Sequence, residues 1–244
     1  MAKGEGKGSN VAKLANQIAA IKYTLFCFNI VAWILGAGLF AFTIYIRAEP
    51  GFDEWIRLLD IYEYYIGVYI LIGAGALVMI FSFLGCCSAL MEHSVALYGF
   101  IASQIFLFLV TVVGSAIILD FSTVNSSIEP LIRQTMLRFI ATSEHPHSSA
   151  SLKLIQESIG CCGADGPNDY MVLRQPLPIE CRDTVTGNAF FHGCVNELTW
   201  FLEDKSVWAA VMAMILGAIH TANTVLGIVL VQALKREEEA TYRR

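Results

Sequence analysis

Residues 206–234 read SVWAAVMAMILGAIHTANTVLGIVLVQAL, a run of 29 positions without a single Asp, Glu, Lys or Arg. A helix of that length crosses a hydrocarbon core of roughly 30 Å with margin, since about 20 apolar residues suffice. Three further stretches share the property: 23–46, 66–91 and 93–119. The 16 Lys and Arg and the 21 Asp and Glu of this 244-residue chain therefore crowd into what remains. A soluble domain would scatter charge through its helices, because a surface helix keeps one polar face. The composition, 56% apolar with a mean hydropathy of +0.59, excludes a soluble enzyme, a nucleic-acid binder and a disordered chain. A membrane barrel is also excluded, since its strands would show short segments of alternating polarity.

Charge placement orients the spans. Lys3, Lys7, Lys13 and Lys22 precede the first, and Lys235, Arg236, Arg243 and Arg244 follow the last. The short loop between the first two spans carries only Arg47 and Arg57 as basic residues. Basic residues flanking spans stay cytoplasmic, so both termini are expected inside. The expected layout is a tail over 1–22, spans over 23–46, 66–90, 95–119 and 208–234, and a closing tail over 235–244. Between them lie a small outer loop over 47–65, a cytoplasmic turn over 91–94 and a large outer loop over 120–207. The first span is too long for a signal peptide's apolar core, and Ala2 removes N-myristoylation.

Cysteine usage agrees with this layout. Cys161, Cys162, Cys181 and Cys194 fall in the large loop, an oxidising compartment, while Cys27, Cys86 and Cys87 fall toward the cytoplasmic ends of spans. An even number outside suits two disulfides, and four cysteines allow three pairings that spacing does not choose among. The spacing lacks the Cys-x2-Cys element of structural zinc, and His145-Pro146-His147 offers only two ligands, so no metal is expected. Cys86 and Cys87, at a span end, suit S-acylation over a role as small apolar packing residues, and Cys27, within a span, fits either reading equally. Asn125-Ser126-Ser127 has the N-glycosylation pattern but lies close to the membrane for the transferase.

These residues also carry a resemblance. Four spans, one small and one large outer loop, and Cys161-Cys162-Gly163 together resemble the tetraspanins. Pro178-Ile179-Glu180-Cys181 looks like that family's Pro-x-Ser-Cys element with Glu in place of Ser, and Gly193-Cys194 resembles its last loop cysteine. Gly85-Cys86-Cys87-Ser88-Ala89-Leu90-Met91-Glu92 is similar to its inner-loop signature, with Ser88 where Gly is usual, and Lys22-Tyr23 followed by Asn29 also fits. Where the family usually has an acidic residue in the outer half of span three, this sequence has Val113. The resemblance implies bridges Cys161–Cys194 and Cys162–Cys181. It also implies a helical stalk in which 120–142 extends span three, 149–160 packs back and 196–205 leads into span four.

The expected fold is thus an all-α integral membrane protein, with four transmembrane helices and a small disulfide-bonded helical extracellular domain. Within the stalk, Ile128, Leu131, Ile132, Thr135 and Phe139 recur at helical spacing as a buried stripe requires. In the turn-rich cap over 164–193, Tyr170, Met171, Val172, Leu173, Phe190 and Phe191 form either a partner-binding surface or the cap's own core. Asn29, Gly36 and Thr43 share one face of span one, and Gly75, Ser82 and Ala89 one face of span two, which suits close helix packing. The intramembrane polar residues Asn29, Gln104, His220 and Asn223 mark either a lipid or sterol cavity or ordinary polar packing.

No nucleophile–base constellation, phosphate loop or zinc motif appears, so neither catalysis nor a cofactor is expected. The resemblance implies a non-enzymatic organiser at the plasma membrane. It would gather other integral membrane proteins, other tetraspanins included, into microdomains, adhesion complexes or cell junctions. A four-span channel or paracellular-barrier protein of claudin or connexin type is the alternative, but those families keep disulfides in the first outer loop and 47–65 has no cysteine. An intramembrane transporter or enzyme would need more paired charges within the spans.

Overall fold

The computed structural model describes residues 5–48, 52–59, 62–91, 94–122, 128–183 and 186–242. Eight α-helices are found among them: α1 (Glu5–Arg47), α2 (Phe52–Leu59), α3 (Tyr62–Met91), α4 (Ser94–Asp120), α5 (Ile128–Ala141), α6 (Pro146–Ile159), α7 (Asn168–Val172) and α8 (Cys194–Tyr242). Strand pairing among these residues is limited to one antiparallel bridge, Arg182 with Ala189. α1, α3, α4 and α8 are long and apolar enough to cross a membrane.

Each long helix buries a seam whose positions alternate by three and four residues. In α1 the seam runs Leu25, Asn29, Ala32, Gly36, Leu39, Thr43, Ile46, and in α4 it runs Leu97, Phe100, Gln104, Leu107, Thr111, Gly114, Ile118. This is the heptad pattern that keeps one stripe of a helix facing its neighbours. Hydrocarbon gives apolar side chains no reason to leave lipid, so contact depends on close approach and polar pairing. Gly75 shows the first: a Cβ there would come within 2.9 Å of the Phe40 backbone nitrogen. A Cβ on Gly36 would lie 2.6 Å from the Val78 Cγ1, so α1 and α3 approach closely at both glycines.

The chain divides into two compact units. The first comprises Met1–Phe42, Ile70–Gly114 and Val211–Arg244. Its apolar layers include Leu25 with Phe100 and Leu226, and Ile18 with Leu97, Leu230 and Val231. The second comprises Thr43–Tyr69 and Ser115–Ala210. There α5 packs on α2, α6 and α7, and α6 packs on a single 3-10 turn, Ile179–Cys181.

Several elements differ from the expected layout. α1 begins at Glu5, because residues 11–22 are dominated by strong helix formers such as Ala, Lys, Leu and Gln. α8 runs 49 residues from Cys194, roughly 74 Å at 1.5 Å per residue and far more than a bilayer core requires. α4 does not extend to Thr142. It stops at Asp120 and residues 121–122 turn. Pro130 gives a reason: inside one long helix it would remove a backbone hydrogen bond and clash with the preceding turn. As the third residue of α5 it needs no helical partner. The buried stripe of α5 is Ile128, Ile132, Met136 and Ile140, with Leu131, Thr135 and Phe139 half-buried beside it.

Candidate functional site

The large loop is organised around its sulfur atoms. α6 ends at Gly160, whose φ of 77° is left-handed, and the amides of Gly160 and Cys161 both donate to the Gln156 carbonyl. This sharp exit delivers Cys161 and Cys162 side by side into the interior. Cys161 is bridged to Cys194 and Cys162 to Cys181, with Cα separations of 5.0 and 4.9 Å, and all four residues are buried.

The adjoining turn explains the glycines of the motif. Gly163 has φ 70°, and a Cβ on it would meet the Gly166 carbonyl and the Asp169 carboxylate. Asp169 Oδ2 accepts the amides of Ala164 (2.8 Å), Asp165 (2.7 Å) and Gly166 (3.4 Å). Gly193 passes so close that a Cβ would lie 2.6 Å from the Asp165 Cα. Backbone bonds from Cys194 to Gly163 and from Cys162 to His192 close the arrangement. Arg133 reaches from α5 to pair with Asp165 and Glu129, and Lys153 lies 3.7 Å from Glu180.

The cap's apolar residues separate into two groups. Tyr170 is 2% exposed, and its hydroxyl accepts a 2.6 Å hydrogen bond from Gln156 Nε2. Burial pushes its phenol up to about 12. The Gln156 bond partly offsets this, and the nearby Glu180 and Asp169 carboxylates add to it. Leu173 and Phe190 are half-buried. Met171, Val172 and Phe191, by contrast, are exposed, at 71%, 71% and 79%, and Ile179 is exposed as well. A short helix produces this split: one side of α7 faces α5, so adjacent positions on it cannot both be covered.

In the first unit Asn29, Ser82, Gln104, His220 and Asn223 are all fully buried. Gln104 Oε1 lies 2.7 Å from His220 Nδ1, and Asn29 Nδ2 donates to the Leu25 carbonyl at 2.9 Å. Among the described residues, Asn29 Oδ1, Ser82 Oγ, Gln104 Nε2, His220 Nε2 and both polar atoms of Asn223 have no protein partner. An unpaired buried polar group costs about 1–3 kcal/mol. Ser82, expected on a face of small residues suited to close packing or to a polar pocket among the helices, is buried with its hydroxyl unpartnered. Val113 is 51% exposed, whereas Gln104 and Thr111 lie on the buried seam of α4, Gln104 meeting His220 of α8 and Thr111 donating to the Leu107 carbonyl of its own helix.

Cys27, Cys86 and Cys87 are free thiols: Cys27 and Cys87 are exposed and Cys86 is half-buried. Cys27 borders a groove of about 350 Å³ with Tyr23, Thr24, Phe28 and Val31. Tyr23 also borders a groove of about 500 Å³ lined by Ile18, Lys22, Phe26 and Glu237. Asn125, the acceptor by pattern, lies outside the described residues, as do Glu92, His93 and the side chain of Ala89.

The sequence model of the Tetraspanin family matches residues 21–233. Tetraspanin-2A of Drosophila melanogaster is 55% identical over 243 residues, covering 99% of this chain and 100% of the relative. The CD9 antigen of Homo sapiens is 33% identical over 229 residues, 90% of this chain and 95% of its own. The CD81 antigen of Bos taurus is 26% identical over 222 residues, 86% and 92% respectively. A family match spanning all four apolar helices and every loop cysteine, with a relative this similar from end to end, leaves one conclusion: the chain belongs to the tetraspanin family.

Proposed function

We propose that this multi-pass membrane protein is a non-catalytic organiser, gathering partner membrane proteins, other tetraspanins among them, into microdomains, adhesion complexes or cell junctions. Tetraspanins are membrane organisers, and the homologues are not enzymes. The observation that carries the finer reading is the apolar surface of the cap. Met171, Val172, Ile179 and Phe191 stand in solvent on a frame held by two disulfides, although Tyr170 beside them is buried. Exposed apolar groups on a rigid support suit a protein contact, since little ordering entropy is lost on binding.

In this reading both termini are cytoplasmic, the large loop faces the exterior of the plasma membrane, and acyl chains on Cys86, Cys87 and Cys27 favour lateral clustering. The exposure of Cys27 and Cys87 and the groove beside Cys27 support the acylation step.

The test is a triple substitution, Met171→Ser, Val172→Ser and Phe191→Ser, in the full chain expressed in cells. All three side chains are exposed, so folding and surface delivery should be unchanged. Partner recovery by proximity labelling and co-purification should fall at least tenfold, as loss of central contacts does. Unaltered recovery with normal surface delivery would exclude the cap as the contact surface.

A further inference from the structure

We propose that the interior of the first unit binds water in a polar layer to which all four of its helices contribute. The register follows from three glycines. A Cβ on Gly85 would lie 2.8 Å from Asn29 Oδ1 and 2.5 Å from a Phe100 ring atom, which sets α1, α3 and α4 level at that point. A Cβ on Gly227 would face Ile101 and Phe100, which sets α8 against them. One helical turn further, in the same direction along all three helices, come Ser82 on α3, Gln104 on α4 and Asn223 on α8. Gln104 is bonded to His220, and Asn29 sits at the edge of this level. Gly217 against Phe108 bounds it on the far side.

The chemistry of the unpaired atoms selects the ligand. Gln104 Oε1 can only accept, so His220 Nδ1 carries the proton and donates to it. Nε2 of His220 is then a bare acceptor. Asn29 Oδ1 and Asn223 Oδ1 are acceptors too, whereas Gln104 Nε2 and Asn223 Nδ2 offer donors and Ser82 Oγ serves either way. A metal ion would be met by amide protons and an anion by carbonyl oxygens, so neither fits. Small neutral molecules that both donate and accept suit this mixture of unpaired groups, and water fills that role in buried polar sites. Leaving these atoms unpaired within hydrocarbon would cost free energy at each of them, with no solvent there to compensate.

The test uses the full-length protein, 15N-labelled throughout, in phosphatidylcholine nanodiscs with and without sterol. Water-edited solid-state NMR should transfer magnetisation from water to the Gln104 and Asn223 side-chain amides in both membranes. Transfer should be as fast as for exposed loop amides, while the backbone amides of Leu107 and Leu216 stay dark. The Gln104→Met variant identifies the first resonance by its loss. Histidine labelling gives a readout that needs no substitution: His220 Nε2 should shift upfield of an unbonded imidazole nitrogen. Darkness in both membranes with an unshifted Nε2 would mean the side chains pair directly and overturn the proposal. Signal in only one of the two membranes would assign the layer to a lipid hydroxyl and overturn it equally.

Discussion

Tyr170 couples the stability of the cap to alkaline pH. Its folded-state phenol is raised to about 12 from an ordinary value near 10, so folding favours the neutral form. The contribution is complete below about pH 10 and is lost as pH rises from about 10 toward 12. Tyr170→Phe should abolish the part of that decline that belongs to this residue. It should also cost about 1 kcal/mol at neutral pH, because Gln156 Nε2 loses its acceptor. Thermal unfolding of the two proteins between pH 7 and 11.5 reads both effects, and parallel curves would refute the assignment. Gly193 makes a different case at the same scale. Its place in the resemblance is a two-residue signature, but its physical need is the Asp165 backbone that a Cβ would strike. That need is invisible in the sequence, since Asp165 lies 28 positions away.

Helices α1 and α3 depend on glycine at their contact. Gly75→Leu would force a branched side chain into the space held by the Phe40 backbone, which cannot yield as a side-chain tip can. The expected result is a loss of about 2 kcal/mol or more, read as a lower melting temperature in detergent, while Gly73→Leu should be near neutral. Gly73 has nothing within 4 Å of its Cβ direction and serves as the control for added bulk. The seven-residue recurrence of small residues was legible in the sequence for Gly36 and Gly75. Which glycines are pressed against a neighbour was not, because Gly73 and Gly75 differ only in the side of the helix they occupy. The break after α4 belongs here as well: Pro130 was in plain view, yet the family resemblance pointed to a continuous stalk.

At the scale of the whole molecule, covalent and membrane contributions hold different parts. Cys162→Ser with Cys181→Ser removes the bridge tying the 3-10 turn to the exit of α6 and should cost the large loop about 2–5 kcal/mol. The four long helices draw on lipid and on their own seams, so insertion and helix content should survive. Circular dichroism together with a conformation-sensitive antibody to the cap separates these outcomes. Loss of helix content with the cap would show that the bridge supports the membrane part. The polar layer has a matching role in specifying arrangement, since a polar side chain in an apolar seam penalises slippage. Sliding α8 by one heptad would set His220 against Leu97 or Thr111 in place of Gln104.

The four apolar helices and the sulfur-rich loop followed from the amino-acid sequence alone. A bilayer demands an unbroken apolar run, and that demand is met residue by residue along the chain. The sorting of the cap into buried Tyr170 and exposed Met171, Val172 and Phe191 was decided only by tertiary packing. So was the meeting of Gln104 with His220, 116 positions apart. Local sequence states what a side chain is, but its burial and its partners depend on which surface another element covers.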